Sequence, residues 1–152
     1  MYLKELLEKY GDKQIKLFVD MDGVIVDYDV GKAYDYDKKR PLLTSIAKLE
    51  EISQMNNIEL FILSVTRMSA GFEEKHTWLD KNAPFFKKEN RVIISREDND
   101  FIESSALKAN YIKNLERDGG IIIVIDDDPR IIKAIQETSE DVVLLKDTAL
   151  VD

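Results

Sequence analysis

A chain of 152 residues, 44% hydrophobic and 34% charged, has the balance of one ordinary globular domain spanning residues 1–152. At that length about 68–70% of the unfolded surface can be buried, so no covalent staple is needed. There is no cysteine, which excludes disulfides and thiolate metal sites. A net charge of -8 with no basic stripe argues against a nucleic-acid polymer as partner. No apolar run approaches the roughly 18 residues of a membrane span, and no membrane partner is expected.

Taken in chain order, the opening "MYLKELLEKYGDK" reads as a charged amphipathic helix and not as a signal peptide, so a cytoplasmic location is expected. "IKLFVD" (15–20) is the first expected strand, followed by "IELFILS" (58–64), "RVIIS" (91–95), "IIIVID" (121–126) and "VVLL" (142–145). All are short, rich in Val and Ile, and apolar on both faces, as strands of a parallel sheet covered by helices are. Between them, helices are expected at 41–55 with Pro41 in the first turn, and at 72–81 with Phe72, His76 and Leu79 on one face. A third is expected at 105–117 with Ser104 or Ser105 as cap, and a fourth at 129–137 beginning on Pro129. Strand and helix alternating in this way predict an α/β doubly wound, three-layer Rossmann-like sheet with right-handed crossovers. The segment 25–41 fits neither period; it mixes acids with Tyr28, Tyr34 and Tyr36 and is expected to form a hairpin or ordered loop over one edge of the sheet.

In such a sheet ligands bind beyond the carboxyl ends of the strands. There the pattern gathers Asp20 and Asp22 after the first strand, Ser64 at the end of the second, and Asp126, Asp127 and Asp128 at the end of the fourth. Lys108 falls in the first turn of its helix on the same edge; Lys113, about 7.5 Å further along the axis, is its rival. Crowded carboxylates raise one another's pKa unless a cation intervenes, and an all-oxygen donor set suits Mg²⁺. Asp128 precedes Pro129 and reads equally as a helix N-cap, which leaves Asp127, supported by Asp126, for a metal. Arg67 stands close enough to Ser64 to grip a substrate group. His76, the only histidine, reads as structural, and Arg130 as a helix-surface residue. An EF-hand lacks its later ligands here. A receiver domain would carry its paired acids after the first strand and its lysine after the last, whereas here the triple aspartate follows the fourth.

"DMDGV" at 20–24, Ser64 in "FILS", Lys108, and "IDDD" at 125–128 resemble, in order, the four motifs of the haloacid dehalogenase (HAD) superfamily. "DMDGVIVDY", "SVTR", "KHTWLDKNAP" and "IDDDPRIIKAI" are similar to 5'(3')-deoxyribonucleotidases and to the phosphatase domain of polynucleotide kinases. The resemblance implies a HAD-like sheet. The stretches between motifs have no room for a large cap domain, so a capless or minimally capped form is expected. It further implies a Mg²⁺-dependent phosphomonoester hydrolase with Asp20 as nucleophile and Asp22 as acid and base. Ser64 would bond a phosphoryl oxygen, Lys108 would balance charge, and Gly23 would let the main chain approach the phosphate closely. Mg²⁺ would be held by Asp20, the main-chain carbonyl of Asp22 and an aspartate of the fourth motif. Tyr28 takes the place of the phenylalanine in the nucleotidase pattern, where an aromatic face can stack on a base. Nucleoside monophosphates are therefore the expected substrates, with nucleic-acid ends, or a silent phosphate-binding module, as the alternatives.

Overall fold

The computed structural model describes residues 2–28 and 35–151; Tyr34 lies outside them. The chain runs α1 (Tyr2–Lys9), β1 (Ile15–Val19), α2 (Leu43–Ser53), β2 (Ile58–Thr66), α3 (Gly71–Asn82), β3 (Arg91–Ser95), α4 (Ser104–Asn114), β4 (Ile121–Ile125), α5 (Pro129–Thr138) and β5 (Val143–Leu145). Five strands form one parallel sheet in the order β3-β2-β1-β4-β5. The period-2 alternation of strands divides their side chains between two cores. Leu17, Val19, Ile62, Ile123 and Ile125 face one, with Leu3, Leu49 and Trp78. Phe18, Leu63, Ile122 and Val124 face the other, with Ile112 and Ile135. Being apolar on both faces is thus what makes β1 and β4 central strands. Phe18, fully buried and stacked on Phe61 with ring centroids 4.5 Å apart, stabilises the α4/α5 side by about 1.5–3 kcal/mol from burial alone.

Several boundaries differ from the sequence reading, each for a tertiary reason. β2 runs two residues past Ser64, because Val65 and Thr66 pair with Ile94 and Ser95 of β3. Pro41 is not in the first turn of α2. It bridges Val26 in antiparallel fashion, and Leu42 takes the N-cap while donating its N–H to the Ile25 carbonyl. Neither Ser104 nor Ser105 caps α4; Glu103 holds that position and both serines are helical. The same helix stops at Asn114, and Arg117 folds back to donate to the carbonyls of Ile112 and Leu115. α3 buries Lys75, Trp78 and Leu79, whereas Phe72 is exposed.

The ends of the 25–41 segment do pair as a hairpin, through the Val26–Pro41 bridge and the Asp27 N–H to Arg40 carbonyl bond of 2.8 Å. Its return half carries a 3-10 turn, Tyr36–Lys38, that packs on α3. Tyr36 meets Trp78 edge-on at 6.5 Å, and the Trp78 indole donates to the Lys39 carbonyl at 2.9 Å. This tether brings two polar side chains, Tyr36 and Lys39, down onto the carboxyl edge of the sheet. Among the described residues, the connections elsewhere between strands hold only single helices and short 3-10 turns, with no inserted domain.

Candidate active site

Asp20 is the first residue beyond β1, and its N–H still bonds the Ile125 carbonyl at 3.0 Å. Asp126 is its counterpart beyond β4, bonded to the Leu145 carbonyl at 3.1 Å. Two adjacent parallel strands ending in register therefore set two carboxylates side by side. Lys108, the fifth residue of α4, is buried with its ammonium between them, 3.0 Å from Asp20 Oδ1 and 2.7 Å from Asp126 Oδ2. Burial works against that charge, but Asp20 and Asp126 outweigh it and hold the Lys108 pKa above its ordinary value. Lys113 is exposed on the far turn. The other Asp126 oxygen accepts the Asp128 N–H at 2.9 Å.

Asp127 completes a trio: oxygens of Asp20, Asp126 and Asp127 all lie within 4.8 Å of one another. Among the described residues no cation pairs with Asp127. Burial first, then Asp20 and Asp126, push its carboxyl up to about 7, and burial followed by Asp20 raises Asp126 as well. A compact set of hard oxygen donors, one of them unpaired and reluctant to ionise alone, fits a divalent cation such as Mg²⁺. Asp128 is set apart from this work. Its Oδ1 accepts the Arg130 N–H at 2.9 Å, capping α5, and its carboxylate grips the Arg130 guanidinium.

Gly23 has φ +84°, a region that favours glycine. A Cβ there would lie 2.0 Å from Asp127 Oδ2. A backbone approach that needs a glycine is thus made toward the Asp127 carboxylate.

Asp22 turns away from the trio. Its Oδ1 accepts from Tyr36 Oη at 3.1 Å and Lys39 Nζ at 3.2 Å, and its Oδ2 from Lys75 Nζ at 3.2 Å. Burial opposes its charge, yet Lys75 and Lys39 prevail and hold its carboxyl below the usual range. The Tyr36 hydroxyl, buried beside this carboxylate, has its pKa raised. Lys75 is the residue the sequence reading missed. It lies in a charged helical stretch with no local pattern that marks it as buried; the available signals were its place at the head of "KHTWLDKNAP" and its position as the fifth residue of α3, matching that of Lys108 in α4. Ser64 Oγ accepts from Lys75 Nζ at 2.6 Å and is itself buried.

A cleft of about 500 Å³ opens over these groups, lined by Asp20, Asp22, Lys108 and Asp127 together with Tyr28 and Arg130. Tyr28 is 69% exposed, so it does not pack the hairpin against the sheet but stands at the cleft mouth. Arg67 is exposed beyond β2 and is not among the residues lining this cleft. Arg130 is a surface residue, as read from sequence, with its side chain 85% exposed, and it lines the rim of this cleft. His76 is half-buried beside Phe72 and Arg91, away from the cleft, as a structural residue would be.

This architecture, five parallel strands with helices on both faces, is an α/β Rossmann-like fold shared with a HAD domain. It superposes on a chain of the Pnkp1/Rnl/Hen1 complex with a TM-score of 0.67 at 14% identity over 90% of this chain. A second structure, of the Pnkp1/Rnl/Hen1 RNA repair complex, matches with a TM-score of 0.65 at 16% identity over 90% of this chain. The HAD domain of the effector protein Lem4 from Legionella pneumophila gives 0.54 at 12% identity, covering 88% of this chain and 85% of that one. The present chain spans about half the length of the first two, 48% and 43%. At these identities the likeness is one of fold. No family model and no curated protein sequence matches.

Proposed function

We propose that residues 1–152 form one HAD-like unit that hydrolyses phosphate monoesters through an aspartyl-phosphate. The observation that carries this reading is the placement of Asp20: a carboxylate at the cleft floor, paired with buried Lys108 and flanked by Asp127. An Asp20 oxygen attacks phosphorus and the bond to the leaving oxygen breaks. That oxygen takes a proton from Asp22. Asp22 then draws a proton from the water that attacks the phosphoryl group, releasing inorganic phosphate and regenerating Asp20. Lys108 and Ser64 stabilise charge on the phosphoryl oxygens and the nucleophile. Asp20 and Asp127, with Asp126 and the Asp22 carbonyl in support, would hold Mg²⁺, whose charge, when bound, offsets that of the crowded carboxylates and the phosphoryl group. Lys75 and Lys39 outweigh burial and favour the carboxylate form of Asp22, the form that draws the proton from the attacking water.

Nucleoside monophosphates are the proposed substrates, with Tyr28 as a stacking surface at the cleft mouth. The alternative is a phosphorylated nucleic-acid end. It is favoured by the likeness to an RNA repair complex and by a second cleft, reaching Arg96 and Ser105, that shares Ser104, Asp128 and Arg130 with the first. The test is hydrolysis of a panel of monoesters, namely a mononucleotide, a phosphorylated oligomer and a sugar phosphate, with and without Mg²⁺. Activity is expected only with Mg²⁺ and is abolished in Asp20→Asn with the fold intact; an active Asp20→Asn protein overturns the reading.

A further inference from the structure

We infer that Lys75 is a positioning residue of this site, fixing the Asp22 carboxylate and turning the Ser64 hydroxyl into a donor toward the phosphoryl group. The inference rests on the phosphatase reading above and assigns a role to a residue that reading does not use.

An ammonium has three donors and no acceptor. Lys75 places all three: on Ser64 Oγ at 2.6 Å, on the Val65 carbonyl at 3.0 Å and on Asp22 Oδ2 at 3.2 Å. Its side chain is only 5% exposed. Burial lowers the Lys75 pKa against the opposing pull of Asp22 and Asp20; a charge desolvated to that degree is costly unless every donor is met, and all three are. Two consequences follow for the chemistry. Ser64 Oγ is occupied as an acceptor, and it cannot donate back to a group with no lone pair. No protein acceptor takes the Ser64 hydroxyl proton among the described residues, so that proton remains for a phosphoryl oxygen. Asp22, meanwhile, is gripped from both sides, by Lys75 on Oδ2 and by Tyr36 and Lys39 on Oδ1. Its carboxylate is thus fixed in the cleft it lines.

The backbone explains how a helix lysine reaches so far inward. Gly71 begins α3, and a Cβ there would lie 1.9 Å from Thr66 Oγ1. Only glycine lets the first turn of α3 sit against the end of β2, one turn from Lys75. Lys75 and Lys108 thus divide the site between them. One serves Ser64 and Asp22; the other serves Asp20 and Asp126.

The experiment compares kcat/KM of wild type and Lys75→Met on two substrates, with Mg²⁺ present. One is a nitrophenyl phosphate, whose leaving group departs without a proton. The other is an alkyl phosphate such as a nucleoside monophosphate, which needs one from Asp22. kcat/KM stops at transfer of the phosphoryl group to Asp20, so the later water step does not blur it. Loss of a group that orients a reacting residue costs about 10–100-fold, and that loss is expected on the alkyl ester, with a clearly smaller one on the nitrophenyl ester. A merely structural lysine would lower both equally. Equal losses, or no loss, overturn the inference and leave the phosphatase reading standing. Wild type inert on both esters removes the phosphatase reading and this inference with it. Should Lys75→Met fail to fold, Lys75→Gln, which keeps a polar end, is measured in the same way and must give the same ranking.

Discussion

Replacing Gly23 by alanine tests the geometry of the carboxylate trio most directly. At φ +84° an L-residue is strained by about 1–2 kcal/mol. The added Cβ also starts 2.0 Å from Asp127 Oδ2 and 2.6 Å from its Cγ. Real contacts stay beyond 3.0 Å, so the Asp127 carboxylate must retreat by at least an ångström. Two separable costs result. The first is a loss of stability of about 1–2 kcal/mol, which in a chain of this size lowers Tm by about 2–4 °C per kcal/mol. The second is displacement of an expected metal ligand, which should weaken Mg²⁺ binding by about 10–100-fold. Urea denaturation in EDTA reads the first and calorimetric titration of Mg²⁺ the second. A double-mutant cycle with Asp127→Ala isolates the clash, since residues in contact are not additive. Once Asp127 is truncated, Gly23→Ala should cost only the backbone strain and should not reduce Mg²⁺ affinity further. Normal Mg²⁺ binding by Gly23→Ala, or full additivity in the cycle, would refute the reasoning.

Three further outcomes are expected. Asp127 has a folded-state pKa of about 7, above its ordinary 3.8, so the folded chain binds this proton more tightly than the unfolded one. In EDTA, stability should therefore fall as pH rises from about 4 to about 7. That slope, read by urea denaturation, should flatten in Asp127→Asn; identical slopes would contradict the assignment. Lys108→Met leaves buried Asp20 and Asp126 without their shared cation, and should cost about 3–5 kcal/mol in denaturant titrations in EDTA. A cost within experimental error would show that the carboxylates find another partner. Tyr28→Ala should reduce kcat/KM for a nucleoside monophosphate by the equivalent of about 1–3 kcal/mol of stacking while sparing a sugar phosphate; equal losses on both would remove the nucleobase argument.

What the sequence alone determined is what local spacing encodes. Runs apolar on both faces, such as "IIIVI", are sufficient to specify central parallel strands, because only a sheet covered on two sides buries both sets of side chains. Once those strands are parallel, Asp20 and Asp126 must share an edge, and Lys108, on the first turns of a returning helix, must face it. The N-cap role of Asp128 was legible for the same reason, since a cap and its proline are neighbours in the chain. Tertiary packing decided the rest. Lys75 looks like any solvated lysine of a charged helix until Gly71 seats α3 against Thr66 and points it at Ser64. The partners of Asp22 come from a hairpin whose return half is held on α3 by Trp78, an arrangement no periodicity predicts. Arg67 and Arg130 differ for the same reason: nearness to a motif along the chain does not set direction, whereas the start of α5, with Arg130 on its surface, opens onto the cleft. Spacing along a chain selects the element and the edge; contacts between elements select which polar groups meet there.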